Sequence, residues 1–73
     1  MANIARTELE QIAEDGTEQE FANQVGQGFT EYADVNETRA AWETFEQDGL
    51  LTNNAGVVIK IGTAEFEVRV IRR

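Results

Sequence analysis

Residues 56–71 have the sequence GVVIKIGTAEFEVRVI, which predicts a β-hairpin together with its register. Gly62-Thr63 suits a two-residue type II′ turn, because glycine adopts the positive φ of the first position without strain. A turn closed there places the following residues opposite each other: Ile61 and Ala64, Lys60 and Glu65, Ile59 and Phe66, Val58 and Glu67, and Val57 and Val68. A slip of one residue would bury the charges, so the alternation determines the register.

The two faces of this hairpin differ in polarity. One face is apolar and consists of Val57, Ile59, Ile61, Ala64, Phe66, Val68 and Val70. The other carries Lys60, Glu65, Glu67 and Arg69. Because Lys60 lies opposite Glu65, the polar face gains one attractive cross-strand pair.

Two Thr-x-x-Glu capping boxes predict the starts of two helices. Thr7 with Glu10 predicts a helix from about residue 8 to residue 15, ended by Gly16, with an earlier start if Asn3 is the cap. Thr17 predicts a second helix from residue 18 to about residue 33, with Phe21, Val25, Phe29 and Tyr32 on one stripe. Gly26 and Gly28 weaken this helix, and the sequence leaves open whether it continues through them.

A third helix is predicted from residue 37 to residue 47, capped by Asn36 and ended at Gly49 in the left-handed conformation. The whole chain, residues 1–73, then forms one α+β domain in which two or three short helices pack on a C-terminal antiparallel hairpin. The expected core is Leu9, Ile12, Phe21, Val25, Phe29, Ala41, Phe45, Leu51, Val57, Ile59, Ile61, Phe66, Val68 and Val70. Tyr32 and Trp42 are expected to be half-buried, which makes them candidate anchors for a partner.

The composition argues against an enzyme. The 73 residues include no His, Cys or Ser, so the common proton shuttle and the usual nucleophiles are missing. We therefore expect no catalytic residue, no metal site, no cofactor and no small-molecule substrate. Neither a membrane-spanning run nor a leader peptide is visible, which predicts synthesis in the cytoplasm.

The net charge of −8 is unevenly distributed. Residues 1–55 carry twelve acids and two cations, whereas residues 56–73 carry two acids and four cations. Such polarity orients a partner or a second copy of the chain. A single Lys beside fourteen acids is also typical of proteins that stay soluble in high salt, which favours a halophile or its virus, although an acidic mesophilic or phage protein fits equally well.

Three helices followed by a hairpin resemble a minimal winged helix, with residues 37–47 as the recognition helix and residues 57–70 as the wing. The step Gly49-Leu50-Leu51 resembles that family's passage into the wing. The resemblance implies a DNA-binding regulator. The predicted recognition helix departs from this pattern, since Glu37, Glu43 and Glu46 outnumber Arg39 and would repel phosphates.

The acidic helices suggest a second possibility, a mimic of DNA that inhibits a nucleic-acid-binding host protein. In size and charge the chain resembles small anti-restriction and anti-CRISPR proteins in a general way. The candidate surface consists of Glu8, Glu10, Glu14, Asp15, Glu18, Glu20 and Glu31.

The function that the sequence favours is a non-enzymatic protein–protein interaction module that acts as a small assembly component, of the kind found in virions, necks or capsids. A hairpin with free edges can add strands from a neighbouring subunit, of the same chain or of another protein. The candidate contact residues are Val58, Lys60, Arg69, Ile71, Arg72 and Arg73. This hypothesis predicts an oligomer without nucleic acid or membrane, incorporated into a virion if the protein is viral.

Overall fold

The described residues form two helices and a three-stranded antiparallel sheet; helix α2 packs on one face of the sheet and helix α1 packs against α2. The structure is a computed structural model that describes residues 7–50 and 53–73. Its elements are helix α1 (Glu8–Asp15), helix α2 (Glu18–Val35), and strands β1 (Ala40–Thr44), β2 (Ala55–Ile61) and β3 (Ala64–Val70), with the strands in the order β1-β2-β3. The predicted α+β class is confirmed, but the chain has three strands instead of two and the order α-α-β-β-β.

The predicted hairpin is confirmed residue by residue. Strands β2 and β3 pair from Ile61 and Ala64 at the turn to Ala55 and Val70 at the far end, in the predicted register. Gly62 has a φ of 59°, whereas Thr63 is not among the residues with positive φ. This combination matches the predicted type II′ turn.

Both predicted capping boxes are present. The hydroxyl of Thr7 accepts a hydrogen bond from the Glu10 amide (3.1 Å), and the Glu10 carboxylate accepts one from the Thr7 amide (3.3 Å). Thr17 and Glu20 repeat the arrangement at the start of α2. Helix α2 continues through both of its glycines to Val35, and the alternative start of α1 at Asn3 lies outside the described residues.

The predicted third helix is wrong, because residues 40–44 form strand β1. Asn36 ends α2 instead of starting a helix, and its side-chain amide donates to the Tyr32 carbonyl oxygen (2.8 Å). Glu37 then takes a left-handed φ of 58°, which redirects the chain. Trp42 lies opposite Ile59 of β2. The described residues therefore do not show the three-helix order on which the winged-helix resemblance depends.

After β1 the chain turns over the sheet face opposite the helices. The Leu50 amide donates to the Phe45 carbonyl oxygen (2.9 Å), and Gly49 has the predicted left-handed φ of 82°. Phe45 is buried against Gly56, where a Cβ would collide with its ring. This turn also covers Val58, which is only 2% exposed on the face predicted to be polar.

The core lies between α2 and the strands β1 and β2. Its centre is Ala22, Val57 and Ile59, with Phe29, Trp42, Ile61, Val68 and Val70 packed around them. The helix approaches the sheet closely because its inward face carries Ala22 and Gly26: a Cβ on Gly26 would lie 2.7–2.9 Å from atoms of the Trp42 ring.

The predicted core is confirmed in part. Phe45, Val57 and Ile59 are buried, and Ile12, Phe21, Val25, Phe29, Ile61, Val68 and Val70 are partly buried. Leu9, Ala41 and Phe66 are exposed, so these three assignments were wrong, and Leu51 lies outside the described residues. Ala22, Ala33 and Val58 are buried but were not predicted.

A side chain of α2 also fastens the helix to the start of β2. The Gln19 amide nitrogen donates to the Gly56 carbonyl oxygen (3.0 Å), and the Gly56 amide donates to Gln19 Oε1 (3.1 Å). Gln19 therefore satisfies both main-chain groups of a buried residue, as a neighbouring strand would.

Candidate protein interaction surface

Strand β3 is the strand of the sheet that helix α2 covers least. Helix α2 packs mainly on β1 and β2, and most residues of β3 are exposed. Phe66, predicted to be a core residue, is 54% exposed although it shares a face with buried Ile59. Among the described residues, the apolar side of β3 is therefore covered only in part: Val68 and Val70 pack against the core, whereas Phe66 is exposed.

An apolar groove runs between α2 and β3. It has a volume of about 580 Å³ and is lined by Val25, Phe29, Ile59, Ile61, Phe66, Glu67 and Val68. Six of these seven side chains are apolar, so the groove suits an apolar side chain better than a polar ligand.

The outer side of β3 is a free strand edge among the described residues, because β2 occupies its inner side only. Ile61 and Ala64 flank the two-residue turn and therefore form a hydrogen-bonded pair. Along an antiparallel ladder, hydrogen-bonded pairs alternate with pairs whose main-chain groups point away from each other. The main-chain groups of Glu65, Glu67 and Arg69 consequently point outward. We call the groove and this edge together the β3 surface.

The polar face of β3 carries charges of both signs, Glu65, Glu67 and Arg69. Arg69 Nη2 lies 3.8 Å from Glu67 Oε2, and both side chains are about half exposed. Exposed pairs of this kind contribute little to stability, so both charges remain available to a partner.

Lys60 is engaged within the chain instead of facing a partner. Its Nζ lies 3.1 Å from Asp48, 3.3 Å from Glu43 and 3.7 Å from Glu65. The hydrogen bonds, first to Asp48 and then to Glu43, raise the pKa of Lys60 above its ordinary value. This cluster joins β1, β2, β3 and the turn after β1.

Arg72 connects the C-terminal segment to the helices. Its guanidinium donates to the carbonyl oxygens of Ala13 (2.7 Å) and Gly16 (3.0 Å) and to Glu18 Oε1 (2.8 Å). A cation at this position satisfies carbonyls at the end of α1 and complements the helix dipole. The hydrogen bond from Arg72 also lowers the pKa of Glu18.

The remaining predicted contact residues divide by exposure. Ile71 is 75% exposed and Tyr32 is 66% exposed, with the Tyr32 ring centroid 6.3 Å from that of Phe29. Trp42 is half-buried as predicted, but it packs against Gly26 and not at the surface. Val58 is buried under the turn after β1, so it is not accessible to a partner in this structure.

The acidic residues lie on the helices but do not form one uniform surface. The exposed acids are Glu8, Glu10, Glu14, Asp15, Glu20 and Glu31, whereas Glu18 is partly buried beside Arg72. Two of the predicted cationic contact residues, Arg69 and Arg73, are exposed as well. Glu10 and Glu20 are also committed to the two capping boxes. None of the residues of helix α1 is buried, so its acidic side chains lie at the surface of the protein.

No group of three His, Cys, Asp or Glu side chains within residues 7–50 and 53–73 is arranged to hold a metal ion. Over the same residues, no helix is both long and apolar enough to cross a membrane. A wider depression of about 620 Å³ is lined by Gln19, Phe45, Glu46, Gly49, Leu50, Asn53 and Asn54. Glu46 is its single carboxylate, so this depression offers no pair of acids for acid–base chemistry.

Comparisons of the chain with protein-family models, with curated proteins and with solved structures gave no match, so function is inferred below from the geometry alone. Sequence reasoning placed the hairpin edge among the contact sites but assigned Phe66 to the core. One signal for its exposure was present: seven apolar residues on the hairpin face exceed what one helix with an inward stripe of small residues covers.

Proposed function

We propose that this chain is a non-enzymatic protein–protein interaction module that acts as a small component of an assembly, and that it contacts its partner through the β3 surface. The observation that carries this proposal is the exposed apolar side of β3 beside a free strand edge. A place in a virion stays a prediction from the sequence.

The exposed apolar area supports a contact site. Burying a Phe side chain completely is worth about 1.5–3 kcal/mol, so covering the exposed half of Phe66 would contribute on the order of 1 kcal/mol. Val25, Phe29 and Val68 line the same groove and would add to this term.

The free edge supports the same conclusion. Proteins usually protect an edge strand with a covering element, a proline, a bulge or charged side chains. Strand β3 has charged side chains, but Glu67 and Arg69 have opposite signs and can attract a suitably placed strand. Strand β3 has seven residues without proline, and no described element covers its outer side. An added strand would satisfy the outward main-chain groups and lie next to the groove.

A mimic of DNA is the second candidate, favoured by the exposure of the acids on the helices. Residues 8–35 carry eight acidic side chains and no Lys or Arg. Such a protein would bind a basic nucleic-acid-binding protein with a steep dependence on salt. Charge reversal at exposed Glu8 would weaken that binding, whereas changes in the β3 surface would not.

Affinity capture with matched variants tests the proposed function. The immobilised protein, Phe66→Glu and Leu9→Glu are each incubated with an extract of cells that express this chain. Leu9 is the control because it is 57% exposed, slightly more than Phe66, but lies on α1. We expect the wild type and Leu9→Glu to retain the same protein, whether another copy or a different chain, and Phe66→Glu to lose it.

Circular dichroism confirms that each variant remains folded. Equal capture by all three proteins, or no capture by any, would remove the β3 surface as the contact site. Loss of capture with Glu8→Lys but not with Phe66→Glu would favour the DNA mimic.

A further inference from the structure

The charges on the edge of β3 are complementary to themselves. Glu67 and Arg69 lie on the same face, one on each side of Val68. If a second copy of β3 runs antiparallel along this edge, with a two-fold axis at Val68, then Glu67 of each copy lies opposite Arg69 of the other. Opposite charges directly across two antiparallel strands attract.

The same axis also aligns the hydrogen-bonding groups. The outward main-chain groups belong to Glu67 and Arg69, as derived above, and these are the residues that the axis places opposite each other. Outward amides then meet outward carbonyls, which an antiparallel ladder requires. Together with the 3.8 Å contact inside each strand, the four charges form a closed ring of alternating sign.

The apolar sides of the two strands meet in this arrangement as well. Val68 lies opposite Val68 of the second copy, and Phe66 lies opposite its Val70. These side chains lie on the helix side of β3, where Phe66 is exposed and Val68 and Val70 are only partly buried against the core. Each exposed Phe66 ring therefore gains an apolar neighbour next to its own groove.

The two adjacent registers each place like charges directly opposite each other, because an axis at Glu67 or at Arg69 pairs that residue with itself, whereas the axis at Val68 creates no like-charge pair. An axis at Phe66 places Glu65 opposite Glu67. Like charges directly opposite each other destabilise a strand pair. Strand β1 at the other edge is shorter and lies under α2, so pairing there would bury less exposed apolar surface.

We propose that the partner on the β3 surface is a second copy of this chain, paired antiparallel through β3 about a two-fold axis at Val68, so that the two three-stranded sheets become one continuous sheet. This inference rests on the proposed function, because it names the occupant of the same surface.

Charge exchange across the axis tests the inference by sedimentation equilibrium at low and moderate salt. We expect a dimer for the wild type. Glu67→Arg and Arg69→Glu each place like charges opposite each other, and each should raise the dissociation constant at least tenfold. An equimolar mixture of the two single variants should form a heterodimer, and the double variant E67R/R69E should dimerise as the wild type does.

Two control variants change the net charge by the same amounts away from the edge. Glu46→Arg matches Glu67→Arg, and Arg39→Glu matches Arg69→Glu; both positions are exposed and lie outside β3. Both controls should dimerise normally. Thermal melts followed by circular dichroism confirm that every variant is folded.

Each other outcome overturns the inference. A wild type that is monomeric at millimolar concentration contradicts the self-pairing. If Phe66-dependent capture of a different protein persists in that case, the proposed function stands and only the self-pairing fails. If that capture is also absent, the proposed function and the self-pairing both fail. A dimer that is insensitive to both single variants removes the edge contact. Single variants that weaken the dimer without restoration in the double variant contradict the axis at Val68.

Discussion

Replacing a glycine of α2 with alanine should have opposite effects on the stability of the protein at two positions, Gly26 and Gly28. Both lie inside the helix, so alanine should stabilise the helical backbone at each position by about 1 kcal/mol. Nothing lies within 4 Å of a Cβ built on Gly28. A Cβ on Gly26 meets three atoms of the Trp42 ring at less than 3.0 Å.

The structure sets the magnitudes. Gly28→Ala should keep the full helix term and stabilise the protein by about 1 kcal/mol. Gly26→Ala adds an overpacking cost of about 1–3 kcal/mol, because the Trp42 ring lies between α2 and the sheet, is packed against the core and cannot move aside as the end of a flexible side chain would. The net effect of Gly26→Ala is then a destabilisation of up to about 2 kcal/mol. The two variants should differ by about 1–3 kcal/mol.

Urea denaturation and thermal melts measure this difference. For a domain of this size, 1 kcal/mol corresponds to about 4–8 °C in Tm, so Gly28→Ala should melt above the wild type and Gly26→Ala at or below it. Trp42 is the single Trp of the chain, so its fluorescence reports the contact directly. Its emission should change in Gly26→Ala and stay the same in Gly28→Ala.

A smaller ring provides the rescue. Trp42→Phe should reduce the cost of Gly26→Ala, and the double-mutant cycle should show a coupling of about 1 kcal/mol or more. Equal stabilisation by Gly26→Ala and Gly28→Ala, with no coupling to Trp42, would refute the close approach of α2 to β1.

Two further predictions concern the contacts that fasten the helices. Gln19→Leu should destabilise the protein by about 1–3 kcal/mol in urea titrations, since it leaves both main-chain groups of buried Gly56 without their partner. Gln27→Leu is the control, at an exposed position on the same helix, and it should destabilise the protein by less than about 0.5 kcal/mol. The second prediction concerns Glu18, whose pKa in the folded protein is lowered from 4.5 by the hydrogen bond from Arg72. The ionised Glu18 therefore stabilises the fold above pH 4.5, and this stabilisation is lost as the pH falls through the lower pKa of the folded state. Glu18→Gln should therefore be less stable than the wild type at pH 7 and approach it at pH 2–3, and a constant difference across that range would contradict the role of Arg72.

Local signals in the sequence predicted the helix starts and the hairpin correctly. A capping box satisfies amides within three residues, and a two-residue turn sets the register of both strands that flank it. Thr17 and Gly62 illustrate both cases, because neither depends on contacts with distant parts of the chain.

Strand β1 could not be predicted in the same way. Residues 40–44 are AAWET, in which Ala and Glu favour a helix and Trp and Thr favour a strand. Pairing with β2 decides between them, since the strand places Trp42 opposite Ile59 and beneath Gly26. These contacts are distant in the sequence, so the local pattern carries no information about them.

The exposure of Phe66 escaped prediction for a related reason. Alternation identifies which residues share a face of the sheet, but not which of them a helix covers. Tyr32 was misjudged likewise, because the inward stripe of α2 is centred on Ala22 and Gly26 instead of on the larger residues beside them.

The packing that holds α2 in place also explains why β3 remains open. Ala22 and Gly26 let the helix approach β1 and β2 closely, so the bulk of Trp42 fits beneath it. The helix lies mainly over these two strands and covers β3 only in part. The small residues thus strengthen the contact with one half of the sheet and leave Phe66 on the other half exposed. The stable core and the β3 surface are therefore two consequences of the same helix position.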